Sequence, residues 1–241
     1  MNLSSNFLNY GTLFNRNFDA ITITSTNSYI ENHGTISGDS TLAVINAYGA
    51  LDARGLHLLN YGTILASGFN EASGILTNSA GNYIENHGNL SATNDSALEI
   101  YDGANTGFGN TIVNTGTIST GSSYAISISG SGRTQLYNSG DILGSIQIGN
   151  ARLSNSGTID GSVSINGDLV NSGDILGVVQ INYSDSTTVR NSGLIAGPLT
   201  LSGQNAAVFN TGVVQGDLSV GGLFATIDLR GGTVLGNVYG T

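Results

Sequence analysis

Apolar residues recur along this chain at even separations on either side of an Asn-x-Gly tripeptide. The tripeptide starts at Asn9, Asn32, Asn60, Asn86, Asn114, Asn138, Asn155, Asn171, Asn191 and Asn210. Two residues before each Asn stands a large apolar residue: Phe7, Ile30, Leu58, Ile84, Ile112, Leu136, Leu153, Leu169, Val189 and Val208. Four residues after it comes an aliphatic one: Leu13, Ile36, Ile64, Leu90, Ile118, Ile142, Ile159, Ile175, Ile195 and Val214. Even spacing is the period of a strand with one buried face, whereas a helix needs steps of three and four. An eleventh, degenerate copy reads Arg230-Gly231-Gly232, with Val234 in the second apolar column and Asp228 interrupting the first.

In the later copies a Gly follows six residues after the Asn (Gly144, Gly161, Gly177, Gly197, Gly216), and then another alternating apolar pair such as Ile146 and Ile148. Each repeat therefore reads as strand, bend, strand, bend, strand. One repeat cannot bury its apolar face alone, but stacked repeats share a continuous core. The fold predicted is all-β: a single-stranded parallel β-helix, or β-solenoid, of about eleven coils. Right-handedness is the usual outcome for parallel crossovers. At about 4.8 Å per coil the rod is about 50 Å long.

Successive Asn residues lie 23, 28, 26, 28 and 24 residues apart as far as Asn138, then 17, 16, 20 and 19. One solenoid over residues 1–241 is expected, with longer coils in 1–137 and bare, regular coils in 138–241. The extra length falls in Gly- and Asn-rich segments: Asn46 to Gly55, Gly68 to Gly74 and Tyr101 to Gly109.

The Asn column reads as structural. Asn tolerates left-handed backbone angles at a turn, its amides can hydrogen-bond up a stack, and the following Gly supplies the bend. The residue between Asn and Gly is more suggestive. It runs Tyr10, His33, Tyr61, His87 and then only Thr or Ser. Odd in the strand register, these four rings are expected to point outward as a surface binding ladder, offering large contact area to a sugar or protein, or else to cover a neighbouring loop. Tyr29 to Gly34 is nearly repeated as Tyr83 to Gly88, as if a two-coil unit had been duplicated.

Composition narrows the chemistry. The chain carries 16 acidic and 6 basic residues, a net charge of −10, and all six basic residues are Arg. Isolated Arg residues in an acidic field make nucleic acid an unlikely partner. No run of about 18 to 20 apolar residues is available to cross a bilayer, and Met1 is not followed by a signal-type segment. Zero Cys excludes disulfides, thiolate catalysis and Cys-ligated zinc. His33 and His87, two coils apart, stand about 10 Å from each other, too far to share one metal ion; His57 is likewise given a surface role. No nucleotide-binding, nucleophile-elbow or calcium-roll motif occurs, and no cofactor is expected. The densest acidic group, Asp95, Glu99 and Asp102, has no Arg within thirty residues and reads as solvated loop charge.

The Asn-Ser-Gly-x-Ile motifs at Asn138, Asn155, Asn171 and Asn191 resemble the passenger regions of Gram-negative autotransporters. The resemblance implies a noncatalytic module at the bacterial surface or outside the cell, an adhesin or display stalk whose partner is a host surface protein or glycan. The chain lacks the signal segment and the barrel strands of a full autotransporter. Both ends fall inside a repeat, and uncapped strand edges invite self-association. Two other functions therefore stand beside the first: a filament or surface-layer subunit stacking end to end, and a polysaccharide-cleaving β-helix enzyme, which needs carboxylates grouped beside an Arg.

Overall fold

A computed structural model describes residues 2–3, 6–39, 42–47, 55–68, 72–102, 108–130, 132–182 and 186–240. Most of two predicted insertions (48–54 and 103–107) and part of the third (69–71) lie outside them, as does Ser131. Within the described residues are thirty strands and no helix, and hence no helix long and apolar enough to cross a membrane.

The strands form three columns, each pairing in parallel with the coil above and below. The first, here called the Asn face, runs from Phe7–Asn9 through Tyr29–Asn32, His57–Asn60 and Tyr83–Asn86 down to Thr226–Asp228. Ten successive pairings link its eleven strands. The second face runs from Thr12–Asn15 to Thr233–Val234 in the same number of steps. The third, beginning at Ile21–Ile23 with Asn2–Leu3 above it, ends at Val238–Gly240. This is a parallel β-solenoid with the predicted number of coils. Some corners are smooth enough that one strand spans two faces, as in Thr117–Gly130 and Val163–Asn171, or all three, as in Asp141–Asn155.

Both predicted apolar columns lie in the core. From Ile30 to Val208 before the Asn, and from Ile36 to Val214 after it, every member is fully buried. Only the outer coils' Phe7, Leu13 and Val234 are partly open. The third face adds its own column, Ile126, Ile146, Val163, Val179, Leu199 and Leu218, stacked in register. Each such side chain contributes about 1.5–3 kcal/mol by leaving water, which is how a chain without disulfides holds a thin rod together.

The Asn residues form an unbroken ladder. Each Nδ2 donates to the Oδ1 of the next Asn, from Asn9 to Asn32 at 2.7 Å through to Asn191 to Asn210 at 2.8 Å. The same Nδ2 also approaches the carbonyl of its own Asn-x-Gly glycine, as Asn114 does to Gly116 at 3.2 Å. The backbone reason differs from the one expected. These Asn residues end extended strands, and among the described non-glycine residues only Asn27 has a positive φ. The glycine is required by proximity, not handedness: a Cβ on Gly88 would sit 2.0 Å from the Gly62 carbonyl oxygen.

The last coil corrects the predicted alignment. Ile227, not Asp228, lies beneath Val208, and Asp228 pairs with the outward Phe209. Leu229, packed against the core, follows in the position of the missing Asn. One extra residue in the turn restores the register of Val234 under Val214, and Gly231 absorbs it at φ 86°. The apolar column is therefore continuous, and Asp228 faces out. Hydrogen bonds from the Arg230 guanidinium, Nε to Oδ1 at 2.9 Å among them, hold the Asp228 carboxyl down at about 2.

Candidate functional site

The outward positions of the Asn face carry the most organised surface on the rod. Because every coil repeats the register, the residue after each Asn lies directly over its counterpart. Tyr10 and His33 stack with ring centroids 4.7 Å apart and planes at 11°; His33 and Tyr61 follow at 4.9 Å and 11°, and Tyr61 and His87 at 4.9 Å and 5°. The four residues predicted as a ladder are therefore brought together as one continuous pile, with Tyr10 71% and Tyr61 45% exposed.

Hydrogen bonds fix the rings on the strand. Glu31 and Glu85 lie two residues before His33 and His87, on the same outer side. His33 Nε2 contacts Glu31 Oε1 at 2.7 Å, and His87 Nε2 contacts Glu85 Oε1 at 2.6 Å. The Thr115 hydroxyl meets His87 Nδ1 at 2.6 Å and closes the lower end of the pile. With Nε2 protonated and Nδ1 accepting, His87 satisfies both contacts.

A second ring column was visible in the sequence and missed. Tyr29, His57 and Tyr83, three residues before their Asn, share the same parity and also point out. They meet edge to face, Tyr29 to His57 at 5.0 Å and 73°, His57 to Tyr83 at 4.8 Å and 67°. All three His of the chain thus belong to one patch. The Tyr29 hydroxyl donates to Glu31 at 2.6 Å and the Tyr83 hydroxyl to Glu85 at 2.7 Å. Donation to a carboxylate pushes the Tyr29 phenol up to about 12 and raises that of Tyr83, and the same bonds lower the pKa of both Glu residues.

The stacking geometry decides how the patch can be read. Inside the first pile each ring face is covered by a neighbouring ring, so a partner meets ring edges, the phenol hydroxyls and the Glu oxygens between them. Hydrogen bonding along the edges, more than a sugar stacking on an open face, is what this surface offers.

Elsewhere the residues singled out for chemistry are occupied. Asp95 and Glu99 are half-buried rather than solvated: Ser73 Oγ lies 3.1 Å from Asp95 and 2.8 Å from Glu99, and the Tyr101 hydroxyl donates to Glu99 at 2.6 Å. The side chain of Asp102 is outside the described residues. Among the described residues no group of three or more potential metal ligands converges; Tyr61 intervenes between His33 and His87. On the third face two adjoining grooves of about 350 and 380 Å³ share Gln147 and Ser164 and are lined by uncharged side chains alone.

The Arg residues are less isolated than their sequence positions imply. Arg133, Arg152 and Arg190 lie on neighbouring coils around Asp168, beside a cleft of about 220 Å³. The chain matches no family model, no curated protein and no solved structure.

Proposed function

We propose that this chain is a noncatalytic module of a cell-surface or secreted bacterial protein, an adhesin or display stalk of the kind found in autotransporter passengers. The observation that carries the reading is the ring patch. Seven aromatic or imidazole side chains over four coils are ordered by stacking and by two carboxylates, yet stay at the surface and add nothing to the core. Tyr and His edges interleaved with carboxylates suit a protein surface or a glycan rich in hydroxyls. The uncharged grooves, and carboxylates already engaged by Ser73 and Tyr101, favour presentation over hydrolysis, which needs a free acid and base.

The test is adhesion. Tyr61→Ser with His87→Ser removes the lower half of the pile while leaving the Asn ladder and the apolar columns intact. The double variant is expected to keep its circular dichroism spectrum and lose at least tenfold in adhesion to cultured epithelial cells when displayed on beads. Undiminished adhesion removes the patch from the function.

A further inference from the structure

The rod assembles a cationic cleft from residues far apart in sequence. Arg152 and Asp168 face each other across one coil step, and Val170 and Arg190 across the next. The cleft of about 220 Å³ is lined by Arg152, Asp168, Val170, Thr188 and Arg190. Three of the chain's six Arg side chains gather here, on a protein of net charge −10.

The bonds within the cleft show which groups are spent. Arg133 reaches Asp168 Oδ2 at 2.6 Å, and the Thr188 backbone N–H donates to Asp168 Oδ1 at 3.0 Å. That carboxylate is neutralised by Arg133 and held by backbone. The Arg190 guanidinium lies 4.5 Å over the Phe209 ring, which fixes its plane without using its N–H donors. Arg152 and Arg190 are exposed, so the cleft presents two guanidiniums with donors to spare, an apolar floor at Val170 and the Thr188 side chain between them.

A guanidinium fork matches the paired oxygens of a carboxylate or sulfate. The two Arg residues stand two coils apart, about 10 Å along the rod, close to the length of a disaccharide. A nucleic-acid strand carries charge about every 3.4 Å, and the acidic remainder of the rod repels so dense a polyanion. From this geometry we infer that the cleft binds an acidic polysaccharide carrying about one carboxylate or sulfate per disaccharide, laid along the rod axis. The lone carboxylate, Asp168, is tied to Arg133, so the site binds the chain and does not cut it. The site is separate from the ring patch and lies on different coils.

The experiment measures binding of the whole chain to immobilised hyaluronan, which carries carboxylates, and keratan sulfate, which carries sulfates, with dextran as the neutral control. Binding to at least one acidic polymer and not to dextran, weakening as salt rises, is expected. Arg152→Ala with Arg190→Ala should reduce it at least tenfold. Arg16→Ala with Arg230→Ala, which removes equal charge from the outer coils, should leave it within twofold, and Tyr61→Ser with His87→Ser should leave it unchanged. Absence of binding to both polymers, equal loss in the two Arg pairs, or equal binding of a single-stranded oligothymidylate overturns the inference. None of these results bears on whether the ring patch mediates adhesion.

Discussion

Replacing Asn114 by Ala tests the ladder at its middle, where solvent cannot repair the damage. Asn114 is fully buried. It donates to Asn138 Oδ1 at 2.8 Å and to the carbonyls of Gly116 and Asp141 at 3.2 Å, and it accepts from Asn86 Nδ2 at 2.8 Å. Two N–H groups serve three acceptors, so three bonds are the most to count, at about 1 kcal/mol each. The Asn138 oxygen is then left dry, which adds about 1–3 kcal/mol. A loss of about 4–6 kcal/mol is expected for Asn114→Ala. Asn9→Ala should cost about 1–2 kcal/mol, because Asn9 lies at the top of the ladder, serves no Asn donor above it and is partly reached by water. Stacked repeats can open locally, so urea unfolding is best paired with hydrogen exchange at the Thr115 and Ser139 amides, which bond to the Asn86 and Asn114 carbonyls. Asn114→Asp adds a sign test. A buried carboxyl has its folded pKa raised above the unfolded value, so the variant is relatively stable in acid and loses stability as pH rises. Equal costs at Asn9 and Asn114, or a loss below 1 kcal/mol at Asn114, would refute the claim that the ladder acts as a connected buried chain.

Two further outcomes follow from the same register. Gly88→Ala places a Cβ 2.0 Å from the Gly62 oxygen and 2.8 Å from the Tyr61 carbonyl carbon, both backbone, whereas Gly11→Ala meets nothing within 4 Å. The first should lower stability by about 1–3 kcal/mol or more and the second stay within about 0.5 kcal/mol, as read from thermal melts. The Tyr29–Glu31 pair is full strength between the acid and alkaline limits. The Glu31 pKa is lowered, so its contribution is lost as pH falls; the Tyr29 pKa is raised from 10.0 to about 12, so its contribution is lost as pH rises through that value. In Glu31→Gln, ultraviolet titration should show one more tyrosine ionising near the ordinary range; no change in the titration curve would discount the bond.

Much of this architecture was legible because a parallel solenoid writes its register directly into the sequence. Fixed offsets from Asn identified the core columns, and odd offsets identified Tyr10, His33, Tyr61 and His87 as outward. The same parity would have found Tyr29, His57 and Tyr83, but the unequal coil lengths left His57 looking like a lone residue. The last coil was misaligned since nothing in the string Leu229-Arg-Gly-Gly-Thr distinguishes a two-residue turn from a three-residue one; only the left-handed backbone of Gly231 does. The Arg cleft lay beyond simple reading for a different reason. Arg133, Arg152 and Arg190 occupy different offsets, so no single column displays them, and side-chain reach across coils brings them together.

The coil pitch also accounts for the sparse charge of the chain, 9% of residues. An outward charge repeated in the next coil would meet its like about 5 Å away, a repulsion of about 1–4 kcal/mol depending on exposure. The outer column beside the Asn ladder avoids this by alternation: Leu8, Glu31, Leu59, Glu85 and Val113 succeed one another in register. Each carboxylate is thereby about 10 Å from the next, near the distance at which salt screens exposed charges. Tyr and His alternate in the adjoining pile, so each imidazole is separated from the next by a phenol ring. Arg152 is followed by Asp168 and then Thr188. In these columns stacking thus keeps like charges about two coils apart, the spacing at which their repulsion is largely screened.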